Sequence, residues 1–212
     1  LRCTGTHAAR ILVSGQADLT ITGSGSLTVE GNYNDGIASK DGLVISGGAI
    51  SVRAADDGIR GKDYLVVRDG NIEVVAQGDG LKSDNEEDAT MGYVLIVGGV
   101  VGVSAGGDAI DGQTDVMITG GEVSLSSGGG SNGRIDESAS AKGIKGVVGV
   151  TIDGGTVTVS SADDAIHSNG SVTINGGTLA LASGDDGMHA DTTLEINGGE
   201  ISITGSYEGI ES

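Results

Sequence analysis

The sequence predicts an all-β fold, a parallel β-helix of about eight coils, on three observations. A phrase of 22 residues recurs along the chain, apolar residues within each copy alternate at period two, and the composition holds 41 Gly with no Pro, Phe or Trp. Repetition at a period in the twenties marks a solenoid, in which each copy packs mainly on its neighbours. Alternation at period two marks strands. Glycine at this density is costly inside helices, so the core has to be a regular lattice of Ile, Val, Leu and Ala. The expected organisation is a lead-in or cap over residues 1–16, then a single domain over 17–212 with no linker.

The repeat is clearest where DDAIHSNGSVTINGG is followed by DDGMHADTTLEINGG. With the second acid of each copy as marker, the series runs Asp35, Asp57, Asp79, Asp108, Lys142, Asp164, Asp186, Glu208, at gaps of 22, 22, 29, 34, 22, 22 and 22. The two long gaps predict loops inserted into single copies, over 83–93 and 128–139. Three short strands are legible per copy. The first carries the aliphatic two places past the marker, giving the column Ile37, Ile59, Leu81, Ile110, Ile144, Ile166, Met188 and Ile210. The second carries pairs such as Leu65/Val67 and Val172/Ile174. After Gly-Gly comes the third, with Ile72/Val74, Val157/Val159 and Leu179/Leu181. Stacked in parallel about 4.8 Å apart, eight such coils make a rod of roughly 40 Å whose interior is columns of like side chains. A leucine-rich horseshoe has a similar period, but Leu is too scarce here.

A formal net charge of -19 disfavours nucleic acid and anionic membrane as partners and makes a cation the natural one. No apolar run is long enough to span a bilayer. The single cysteine, Cys3, has no internal disulfide partner and precedes the first copy. The chain begins without Met and reads as a piece of something longer.

Stacking the markers puts carboxylate above carboxylate, a repulsive column unless something neutralises it. Calcium bonds to oxygen at about 2.3–2.6 Å, so ligands on either side of one ion lie roughly 5 Å apart, close to the coil spacing. Ca²⁺ between rungs is therefore expected, held low on the rod by Asp56, Asp57 and Asp79 and high on it by Asp163, Asp164, Asp185 and Asp186, with Asp108 between. Gly58, Gly80 and Gly187 would leave room for carbonyl ligands. The plainer reading is that these aspartates close turns by accepting nearby backbone N–H groups. Lys142 interrupts the column as an internal counter-ion.

Three places past the marker, an outward row reads Ala38, Arg60, Lys82, Asp111, Lys145, His167, His189, Glu211. Arg60, Lys82, Lys145, His167 and His189 are the candidate sugar contacts on this face. His167 and His189 are either a solvent-facing pair or metal ligands lacking a third partner. The run DNEED, Asp84 to Asp88, is a solvated charge cluster or a contributor to the Asp79 rung. The Gly/Ser loop at 128–133 lacks the lysine and helix of a phosphate-binding loop.

Four stretches carry a family resemblance: GNYNDGIASKDGLVISGGAISVRAADDGIRGKD, GDGLKSDNEEDA, GGGSNG with SAKGIKG, and SADDAIHSNGSVTINGGTL with SGDDGMHAD and SYEGIE. From about Ala17 onward, the chain resembles bacterial carbohydrate-binding domain-containing proteins of the cellulose- and acidic-sugar-binding β-helix type, known from cellulolytic clostridia. The resemblance implies a right-handed parallel β-helix, several bound Ca²⁺ ions, a secreted or cell-surface location, and binding of plant-wall polysaccharide such as polygalacturonate, pectin or cellulose. It also implies a likeness in shape to calcium-dependent pectate lyases.

Two functions follow as expectations. The first is calcium-dependent, non-catalytic binding of acidic polysaccharide, for which scarce aromatics are no handicap because Ca²⁺ can bridge carboxylate to carboxylate. The second is pectate lyase chemistry, with a base drawn from Lys82, Lys145, Lys142 or Arg60. An ice-binding solenoid would need an unbroken outward Thr array, whereas the second-strand outward column reads Val44, Val66, Leu95, Met117, Thr151, Thr173, Glu195. Its apolar members point to self-association or another cover over that face.

Overall fold

The computed structural model describes residues 2–4, 10–13, 18–136 and 139–212. Among the described residues there are 24 strands and no helix. The coil makes about nine turns at the 22-residue spacing, close to the eight expected. The predicted first strands form an eight-stranded parallel sheet, and the second and third strands belong together to a sixteen-stranded one.

Register matches the columns read from the repeat. Ile37 pairs with Ile59, Ile59 with Leu81, Leu81 with Ile110, Ile110 with Ile144, Ile144 with Ile166, Ile166 with Met188, and Met188 with Ile210. The pairing therefore passes through both insertions unshifted. Most of the column is fully buried, as are the inward pairs of the other two strands in the middle of the rod. Burial of each such side chain contributes about 1.5–3 kcal/mol, which makes apolar stacking the main stabilising term.

The second and third strands are less separate than the repeat suggests. At Gly42–Ala54 and Tyr64–Ala76 they run as one strand of 13 residues through the Gly corner. The second Gly of that corner recurs at φ near +90°, as at Gly121 (+94), Gly155 (+91) and Gly177 (+97). A Cβ at Gly155 would also lie 2.8 Å from the carbonyl oxygen of Gly121, so conformation and packing both require glycine there. Before this corner Asp153, Asn175 and Asn197 form a side-chain ladder at 2.8 and 2.9 Å.

At the first rungs, Arg2–Thr4 and Arg10–Val13 pair antiparallel with Ser26–Gly31 and Leu19–Thr22 respectively. At the other end, Ile196 and Ile210 are about half exposed. On the outward second-strand column Val66 is buried and Val44, Leu95 and Met117 are half-buried.

Candidate functional site

The marker aspartates form one continuous column, and each reaches the next coil. Asp79 N–H donates to Asp57 Oδ1 at 2.9 Å, Asp108 N–H to Asp79 Oδ1 at 2.8 Å, Lys142 N–H to Asp108 Oδ1 at 2.7 Å, and Asp186 N–H to Asp164 Oδ1 at 3.0 Å. This is turn closure carried between coils instead of within one. It leaves one carboxylate oxygen, Oδ2, facing the outward row.

Over the lower coils that oxygen meets a permanent cation. Lys82 Nζ lies 2.7 Å from Asp79 Oδ2 and 3.3 Å from Asp57 Oδ2. Lys145 Nζ lies 3.1 Å from both Asp108 and Asp111. Arg60 bonds Asp84 at 2.7 Å and approaches Asp35 at 3.7 Å. Lys142 Nζ turns up the rod, 2.6 Å from Asp163 Oδ2 and 3.4 Å from Asp164 Oδ2, as an internal counter-ion would. Burial lowers the affinity of these three lysines for a proton, but their carboxylate partners outweigh it and raise all three pKa values. Arg60, hydrogen-bonded to Asp84, is raised as well. Ion pairing thus holds each of the four protonated, so that little of the unprotonated form a general base needs is present.

Above Lys142 the outward row changes to histidine. His167 Nδ1 is 2.8 Å from Asp164 Oδ2, and His189 Nδ1 is 3.3 Å from Asp186 Oδ2. The rings meet edge to face with centroids 5.0 Å apart. Burial would push the Asp164 carboxyl up, but His167, Lys142 and the Asp186 N–H together hold it below the usual carboxylate range. Asp185 and Asp186 move the other way: desolvation raises both, and neighbouring acids add to it.

Carboxylate oxygens of Asp163, Asp164 and Asp185 all lie within 4.8 Å of one another. These three were expected from the doubled acids; Asp136 was not. It comes from the second insertion, and with Ile135 and Ala139 it walls a hollow of about 280 Å³ whose floor includes Asp163 and Asp185. The same insertion contributes Ser131 and Asn132 to an adjoining hollow of about 510 Å³, with Ser183, Thr204 and the exposed ring of Tyr207. Only contact across coils could reveal Asp136, because it sits outside the repeat.

Other expected residues are placed differently. Asp56 is exposed beside the low pair. In the first insertion Asp84 turns to Arg60, Asn85 closes the turn by accepting the N–H groups of Glu87 and Asp88, and Glu86, Glu87 and Asp88 are exposed. The loop therefore serves Arg60 and solvent, not the Asp79 rung. The carbonyl oxygens of Gly58 and Gly80 accept Ile37 and Ile59 N–H at 3.0 and 2.9 Å. A Cβ at Gly58 would sit 2.2 Å from Val74 Cγ1. Of the tyrosines, Tyr64 and Tyr93 stack on each other at 5.6 Å, whereas Tyr33 and Tyr207 stand in solvent.

A family model described as carbohydrate-binding domain-containing protein matches residues 5–187. A solved structure titled as the polysaccharide lyase-like protein from C. thermocellum, gadolinium derivative, is 20% identical over 94% of this chain and 89% of that one, with a TM-score of 0.39. No curated protein matches the chain significantly.

Proposed function

The chain belongs to the carbohydrate-binding domain-containing family, and from that premise we propose that it binds acidic polysaccharide without catalysis, through Ca²⁺ held by Asp163, Asp164 and Asp185. The observation that carries this reading is the crowding of those three carboxylates within 4.8 Å, beside the hollow that Asp136 closes. Four acids there face one ammonium, that of Lys142. Oxygen donors at this separation suit Ca²⁺, which takes six to eight of them at about 2.3–2.6 Å. Bound there, Ca²⁺ supplies a positive site to which a uronate carboxylate can add its own oxygens. The protein residues do the rest: Ser131, Asn132, Ser183 and Thr204 offer hydroxyl and amide groups to sugar hydroxyls, and Tyr207 offers a ring face.

Polygalacturonate is the ligand class that fits a negative rod only when a cation bridges, and a secreted or cell-surface setting is part of the same proposal. The raised pKa values of Lys82, Lys142, Lys145 and Arg60 favour binding over elimination. Pull-down on immobilised polygalacturonate is expected to rise with Ca²⁺, disappear in excess chelator, and weaken in Asp163→Asn and Asp185→Asn. Retention that chelator leaves unchanged contradicts the proposal, as does release of unsaturated uronides during incubation.

A further inference from the structure

We propose that Asp164, His167 and His189 form a second metal site, selective for a divalent first-row transition ion such as Zn²⁺ and separate in chemistry from the calcium cluster. One oxygen of Asp164 and one ring nitrogen from each histidine lie within 4.8 Å of one another. The arrangement follows from register: His167 pairs directly with His189 on adjacent strands, and Asp164 reaches His167 from three residues earlier. Asp164 is the third ligand that the histidine pair lacks when only the sequence is considered.

Three features distinguish this cluster from the ion pairs below it. First, the equivalent places on lower coils hold no imidazole: they read Ala38, Arg60, Lys82, Asp111 and Lys145, and the cations among them only donate hydrogen bonds. Imidazole can lose its proton and ligate, so a metal ion can stand where His167 and Asp164 now share a proton. Second, His189 is held by carboxylates at both ring nitrogens: Asp191 Oδ1 lies 3.2 Å from Nε2, and Asp186 Oδ2 and Glu211 Oε2 lie 3.3 and 3.5 Å from Nδ1. A carboxylate behind a histidine fixes the tautomer and raises its basicity as a ligand. Third, the side chains are largely withdrawn from water, with Asp164 4%, His167 12% and His189 27% exposed. Two imidazole nitrogens and one carboxylate suit Zn²⁺, Cu²⁺ or Ni²⁺, whereas Ca²⁺ prefers oxygen alone. Three protein ligands also leave a position open for water or a ligand oxygen.

The test is calorimetric titration of the full chain with Zn²⁺, in a Cys3→Ser background that removes the thiol and without Ca²⁺, because Asp164 belongs to both clusters. One site is expected, weakened more than about ten-fold by His167→Gln and by His189→Gln. Asp56→Asn, an exposed change on a lower coil, should stay within about two-fold of the parent. In the unmutated chain, the ring ¹⁵N resonances of His167 and His189 should shift together at one equivalent of Zn²⁺ while those of His7 do not. Unchanged Zn²⁺ affinity in both glutamine variants overturns the proposal, and so does a ring response confined to one of the two histidines. The resonance measurement needs no variant and decides the matter even if a substitution impairs folding.

Discussion

The lower and upper stretches of the acidic column share one geometry and differ in what balances it. Below Lys142, Asp57, Asp79 and Asp108 each face a fixed cation, Lys82 or Lys145, at 2.7–3.3 Å. Above it, Asp164 and Asp186 face histidines, and Asp163 and Asp185 crowd the same edge with Lys142 as their ammonium. On the lower rungs each lysine bridges two carboxylates, whereas the upper rungs add Asp185 and Asp186, whose nearest partners are other acids and a histidine. Stacking alone therefore sets only the column; what reaches each carboxylate from the outward row, lysine below and histidine above, differs between its two stretches.

The largest expected break in that comparison is Asp108→Ala. Asp108 is 2% exposed and receives Lys142 N–H, Ser140 Oγ–H and Lys145 Nζ. Removing it leaves Lys145 with Asp111 alone and should cost about 3 kcal/mol in denaturant unfolding. Next is the pH response of Asp111, whose carboxyl burial pushes up to about 6 despite Lys145, with Asp108 and Asp79 adding to the rise. The folded state then holds a proton that the unfolded chain releases near pH 4. Stability from this group is present below that pH and lost as pH rises through about 6, by about 2–3 kcal/mol. Asp111→Asn should flatten the decline between pH 4 and 6. Lys82→Ala, which exposes Asp57 and Asp79 to each other, should cost about 2 kcal/mol and make the lower pair responsive to Ca²⁺ in thermal melts. Smallest is Asp185→Asn: in chelator this exposed change should move stability by less than about 0.5 kcal/mol, and toward greater stability, because it relieves repulsion with Asp186, Asp164 and Asp163.

The coil was legible in the sequence because its cause is periodic. An aliphatic that recurs two places past each marker can only stack, so Ile37 to Ile210 gave the register directly, and the Gly-Gly pairs gave the corners. The column of acids was legible for the same reason. Less visible was what each acid does with its two oxygens, since acceptance of the next coil's N–H by Asp57 or Asp79 depends on a side-chain rotamer that no spacing reveals. The pairing of Lys82 with Asp57 and Asp79 is available in the sequence as an i,i+3 contact plus one coil, and it engages residues expected as sugar and metal contacts. Asp136 was out of reach because inserted loops have no register. The partner of Asp84 is equally invisible in the repeat, because Arg60 lies 24 residues away.

The proposal to be tested is that the upper carboxylates bind Ca²⁺ and the lower ones, each bridged to a neighbour by lysine, do not. The most direct measurement is the unfolding free energy of the parent chain and of the Asp163→Asn, Asp185→Asn double variant across a Ca²⁺ titration. At one hundred times its dissociation constant, Ca²⁺ should stabilise the parent by about 2.7 kcal/mol and the double variant by far less. A parent chain whose stability ignores Ca²⁺, or a double variant that responds as fully as the parent, contradicts the account.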